Sequence, residues 1–218
     1  MSGLERALRL VLGDAVVDGV LARRRVRRAR RASSIDVGDV VVGRTCKVRG
    51  RIAIDGAPER APFSLRPCAF WAVHLLTKVR TEDRHGREIV VWRTDVEASS
   101  ARPFWLVDDR GDGVLVEPEG AHVSVPTARL DPDHPHLNDE NPTFRAFLRS
   151  HGVLTTAFMG VAGEHQFFES ALRHGELMAA YGRVDEVARP APQGYRDGLA
   201  RDRRLRSVDG EPIVLFAR

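Results

Sequence analysis

PFWLVDDRGDGVLVEPEGAHV, residues 103–123, decides the fold class. PFWLVD from Pro103 and GVLVEP from Gly113 are short apolar runs of the kind that pair as strands. DDRGDG between them, at 108–113, carries the Asp and Gly chemistry of a turn. Working outward, AHVSV from Ala121 is a further strand, and upstream CAFWAVHLLTKVR from Cys68 and REIVVWRTDVEA from Arg87 are longer ones. VVVGRTCKVRGRIAI at 40–54 alternates through Val42, Cys46, Val48 and Ile52. Downstream, LDPDHPHLNDENP from Leu130 reads as a polar loop that caps a short helix, predicted from about Thr143 to Ser150. FFESALRHGELMAAYGRVDEV from Phe167 returns to strand spacing, turning at Gly175 and placing Met178, Ala180 and Gly182 on one face. Residues 189–210 read as loop, and EPIVLFAR closes as a strand. The expected class is mainly β (α+β): a small antiparallel, OB-like (oligonucleotide-binding) barrel with one or two helices packed outside it. Phe63, Trp71, Trp92, Phe104 and Trp105 are expected to fill or cover its core, and Gly50, Gly111, Gly113 and Gly182 to supply turns or close backbone approach.

Hydrophobic residues make up 43% of the 218 and charged residues 29%, which excludes a disordered chain and a polytopic membrane protein. The net charge of +4 is unevenly placed. Residues 1–31 hold nine arginines against Glu5, Asp14 and Asp18, a local +6, and the remaining 187 residues are at −2. Apolar positions from Leu4 through Val20 and Leu21 recur at helical spacing, but charges interrupt every run well short of a spanning length, and the arginines follow the apolar part. Neither a transmembrane helix nor a signal peptide is expected. The organisation read from this is a basic amphipathic helix over 1–32, a linker over 33–39, and one β domain over 40–218 with the helical insertion at about 143–150.

Cys46 and Cys68 are the only cysteines, too few for a disulfide framework or a zinc ribbon, and a reduced cytoplasmic setting is expected, peripheral to a membrane where the basic helix meets one. Asp131, Asp133, His134, His136, Asp139 and Glu140 form the densest polar cluster, but Pro135 favours an extended backbone that turns the two histidines apart, so a solvated loop is expected and no metal. Neither cysteine sits in a local signature with a histidine, and no GxSxG, P-loop, GxGxxG, HExxH or paired-carboxylate motif occurs. No catalytic residue and no cofactor are assigned.

The ordered series of motifs resembles the GIDE domain, also called the BAM (beside-a-membrane) domain, of mitochondrial RING-type ubiquitin ligases and of bacterial homologues without a RING. An arginine-rich segment is followed by VRGRI, then by Pro62, Pro67 and Cys68 in PFSLRPCAFWAVHL, then by Trp92. Pro103, Phe104 and Asp108 match that family's Pro-Phe-x-Leu-x-Asp, while Gly113 and Pro118 fall at its glycine turn and the proline after it. Glu169, Gly175 and Gly182 match its closing strands. The resemblance covers about residues 38–187 and implies a small interaction domain, bacterial in type, beside a membrane. The family's spanning helix is replaced here by a charged one, and the chain holds no paired cysteine clusters for a RING. A ubiquitin-transferase activity is implied only through the eukaryotic relatives. The matched residues themselves read as scaffold.

The run Arg23, Arg24, Arg25, Arg27, Arg28, Arg30 and Arg31 has three readings: a solvated face, a basic helix lying on an anionic membrane surface, or a phosphate-binding stretch for nucleic acid, the weakest of the three because the body is slightly acidic. A non-catalytic interaction module, with a protein partner the sequence does not identify, is the expected function.

Overall fold

The computed structural model describes residues 14–138, 140–153, 164–190, 199–207 and 212–217. Helix α1 (Asp14–Arg31) is the described part of the expected basic helix; its first residues, like Asp139 of the polar loop, lie outside. The segment read as a linker is structured. It holds β1 (Ser34–Asp36) and a 3-10 turn at Val37–Asp39 that buries Val37 completely. β2 (Thr45–Ala53) runs parallel to β1, with Ile35 opposite Val48. A two-residue ribbon, β3 (Glu59–Arg60) and β4 (Pro67–Cys68), precedes the long hairpin of β5 (Phe70–Glu82) and β6 (Glu88–Ser99). β7 (Phe104–Val107) and β8 (Gly113–Val116) flank the expected turn, and β9 (His122–Ser124) and β10 (Ala128–Leu130) lead to helix α2 (Pro142–Ser150). β11 (His165–Leu172) and β12 (Leu177–Pro190) meet at Gly175, whose φ of +85° suits the turn to a residue without Cβ. β13 (Leu199–Arg206) lies in the stretch read as loop, and β14 (Val214–Ala217) is the expected last strand.

These elements form two compact units. The first, made of residues 1–51, 105–124 and 177–217, is a closed five-stranded barrel. β2, β7, β8, β13 and β12 are neighbours in that order, and β12 returns to β2. Numbered along the chain, the order is 1-2-3-5-4-1, that of an OB-type barrel. The expectation of antiparallel pairing needs one correction within it: β8 and β13 run parallel, through Arg204 opposite Leu115. The long excursion of chain between them supplies the crossover that parallel neighbours require. β1, β14 and β9 extend the sheet beyond the closed ring. Val48, Leu106, Val114, Val116, Met178 and Leu205 fill the interior together with Ile213 and Leu215. At Gly50 a Cβ would stand 2.9 Å from the Val107 carbonyl and 3.1 Å from Val37, so this glycine lets the 3-10 turn close over the barrel.

The second unit, residues 52–104 and 125–176, carries the antiparallel sheet β10-β11-β5-β6, the β3–β4 ribbon and α2. The single β domain expected over 40–218 is thus divided. α2 packs into this core through Phe144 and Leu148. Asn141 caps it, its side chain accepting from the Thr143 and Phe144 amides, and Pro142 occupies the first turn. Phe63 centres the core, edge-on to Phe147 and Phe167 with ring centroids 5.5 Å away, and Trp71 packs at its margin. Phe63 and Trp71 therefore serve this core instead of the barrel's. Trp92, expected to cover a core, is 42% exposed.

A candidate anion-binding groove

α1 leaves the barrel unit with a cationic groove. The sequence LARRRVRRARRA divides by helical spacing: Arg24, Arg27, Arg28 and Arg31 stand at i, i+3, i+4 and i+7, one stripe, while Arg25, Val26 and Ala29 fall on another. Ala29 is fully buried and Arg25 and Val26 half-buried, so the second stripe is the packing face. The first lines an open groove of about 660 Å³ whose far side is Thr45–Lys47 of β2 and Tyr181 of β12. Strand alternation turns Val48 inward and Lys47 outward, and register pairs Lys47 with Tyr181. Lys47 is also held 4.8 Å from the Phe216 ring centroid, a cation–π contact. Among the described residues, five cations line this groove and no carboxylate does. Like charges gathered round a concave surface concentrate positive potential there, which favours a polyanion. The remaining arginines of the run go elsewhere: Arg30 donates to Ser124 Oγ at 3.0 Å, and Arg23 is exposed. Lys47 and Tyr181 were not singled out in the sequence. The outward position of Lys47 in an alternating strand was the available signal.

Several of the motif residues that resemble the family's hold backbone in place. In the sheet unit, Glu169 is 5% exposed and its carboxylate accepts from the Phe63 amide at 2.9 Å, the Ser64 amide at 3.2 Å and the Ser64 hydroxyl. It clamps the turn that follows buried Pro62, where Leu65 takes a φ of +56°. Pro67 lies opposite Arg60, and Cys68 opposite Glu59, in the β3–β4 ribbon. Pro103 is exposed, and Phe104 packs edge-on against Phe70 at 5.8 Å. In the barrel unit, Asp108 accepts from the amides of Arg110 and Asp112 through one oxygen and from Gly38 through the other, which explains the aspartate in DDRGDG. Desolvation raises its carboxyl, but those three amides and the Arg110 charge outweigh that and hold it below the ordinary range. Gly113 lies against Trp105, where a Cβ would meet the ring at 3.0 Å. Pro118 is buried, and Gly182 faces Leu205 and Ile213 inside the barrel.

Nucleophilic chemistry finds little support in these side chains. Burial first, then the nearby carboxylates of Glu59 and Glu169, pushes the Cys68 thiol up to about 12, and burial also raises Cys46. A polar cluster missed in the sequence joins Thr77 of β5, Asp95 of β6 and His165 of β11. The Thr77 hydroxyl donates to Asp95 and lies 3.0 Å from His165 Nδ1. Its one proton is already given to a carboxylate, so the imidazole donates to it and has no proton to take from it. A bulge, marked by the register shift at Leu75/Leu76, brings Asp95 there, and sequence spacing does not reveal it. His134 and His136 do not diverge as expected: their ring centroids are 5.4 Å apart, and His134 Nδ1 accepts from the His136 amide at 3.4 Å. Among the described residues, no group of three or more His, Cys, Asp or Glu is arranged to hold a metal ion.

Comparison with family models, with curated proteins and with solved structures finds no match for this chain.

Proposed function

We propose that the protein is a non-catalytic interaction module of the GIDE/BAM type that docks an anionic surface, a membrane or an acidic face of a protein complex, through the α1 groove. The observation that carries this reading is the convergence of Arg24, Arg27, Arg28, Arg31 and Lys47 on one concave face, with no carboxylate among the described residues that line it. Each basic group near an anionic bilayer contributes on the order of 1 kcal/mol, so five together give useful affinity from electrostatics alone. No helix among the described residues is long and apolar enough to cross a membrane, so the attachment in this reading is to a surface. Flotation with phosphatidylcholine vesicles, with and without phosphatidylserine, tests it. The full chain should float only with the anionic vesicles, and the R24Q/R27Q/R28Q/R31Q variant should stay in the dense fraction. Failure of the full chain to float with phosphatidylserine at low salt removes the membrane reading.

The 1-2-3-5-4-1 barrel order favours a second reading, single-stranded nucleic acid held in the same groove with Tyr181 as a stacking platform. A salt-sensitive shift of a labelled oligonucleotide, lost in the same variant, supports that reading over the first. Ubiquitin transfer, implied by the resemblance to the eukaryotic ligases, requires a zinc-bound RING in addition to these 218 residues, and a discharge assay with this chain alone tests it.

A further inference from the structure

β6 is the outer strand of its four-stranded sheet, bonded to β5 on one side. Its residues Ile89, Val90, Val91 and Trp92 are 38%, 51%, 38% and 42% exposed. Successive strand residues point to opposite faces, so both faces of the hairpin are bare of cover along this run. Edge strands of monomeric proteins are ordinarily blunted by an inward charge, a proline or a bulge. Here the four apolar residues carry none of these. The bounding charges are Glu88 and Arg93, each neutralised within its own chain by Arg80 and Asp95, and the bulge comes only at Asp95.

The regular part of the strand, Glu88–Thr94, has Val91 at its midpoint. Two such strands related by a two-fold axis normal to the sheet pair antiparallel, each face meeting the same face of its copy. Centred on Val91, the pairing sets Val91 against itself, Val90 against the second copy's Trp92, and Ile89 along the stem of the second copy's Arg93. Glu88 then meets Thr94, and the two copies of Glu88 stand about 20 Å apart along the strands. A shift of the axis to Val90 opposes Arg87 to Arg93, and a shift to Arg93 opposes that arginine to itself. A shift to Trp92 sets Arg93 against Val91 and Val90 against Thr94, so charge and apolar contact together select the register centred on Val91. We propose that β6 pairs with β6 of a second copy of this chain, making one continuous eight-stranded sheet about a two-fold axis at Val91.

The test is the mass of the full chain in solution, by light scattering or sedimentation, over a concentration series. Wild type should reach the mass of a dimer, and Val91→Lys, which opposes two ammonium groups at the axis, should remain a monomer at every concentration. Val42→Lys, at an exposed valine of the barrel unit, should dimerise as wild type does. With Val91→Cys in a Cys46→Ser background, a short bismaleimide should yield a covalent dimer that Cys46→Ser alone does not give, because the one remaining native thiol, Cys68, is buried. A wild type that stays monomeric at about 100 μM overturns the proposal, as does V91K that dimerises, or wild type that is monomeric in solution and binds vesicles through Trp92.

Discussion

Glu169 is the side chain on which the turn of the sheet unit depends. Three donors of Phe63 and Ser64 converge on its buried carboxylate. Glu169→Ala leaves them without an acceptor and should cost about 3 kcal/mol in denaturant unfolding, whereas Glu169→Gln, retaining one acceptor oxygen, should cost roughly half as much. Gly182 is the corresponding point in the barrel. A Cβ there would lie 2.5 Å from Leu205 Cδ2, so Gly182→Val should destabilise by about 1–3 kcal/mol, measured the same way. Cys68, with its thiol raised to about 12, should resist maleimide labelling at about pH 8 in the folded chain and label fully in denaturant. The family-like motif pointed to each of these three residues without revealing its task. A carboxylate that binds amides more than a hundred positions away leaves no local pattern.

At the scale of elements, the hairpin at 103–118 was legible because alternating apolar residues and an Asp-Gly turn agree with each other. The Asp108 turn also makes a pH prediction. A carboxyl held lower in the folded than in the unfolded state contributes stability above its unfolded pKa of about 3.9 and loses it as pH falls through the lower folded value. Asp83, whose carboxyl is lowered by the amides of Arg87 and His85, acts in the same direction. Melting temperature should therefore fall below about pH 4, and less steeply in Asp108→Asn. β13 was illegible for a physical reason. Its LARDRRLR reads as polar loop, yet Leu205 is buried while Arg203, Arg204 and Arg206 find Asp112, Glu117 and Asp185 on neighbouring segments. Ion pairs made only after folding let an arginine-rich stretch serve as a barrel strand. The linker failed as an expectation because three residues of β1 are too few to show a period.

Across the whole molecule, the barrel class was readable and its division from a second unit was not, because the second unit is built from two separated stretches that share one core. The charge asymmetry was readable as well. Its organisation into a groove needed β2, which places Lys47 opposite the arginines of α1. Binding that rests on such a groove should weaken steeply between about 50 and 200 mM salt, since neutralised anionic groups release their counterions.

Lys47 also separates a groove from a merely basic tail. Titration of wild type, Arg28→Glu and Lys47→Glu against phosphatidylserine-containing vesicles at one salt concentration is the most direct measurement. If the five cations form one docking face, both reversals lower affinity by about tenfold or more. If Lys47→Glu binds as wild type does while Arg28→Glu is lost, the arginine run acts alone and the groove account is contradicted.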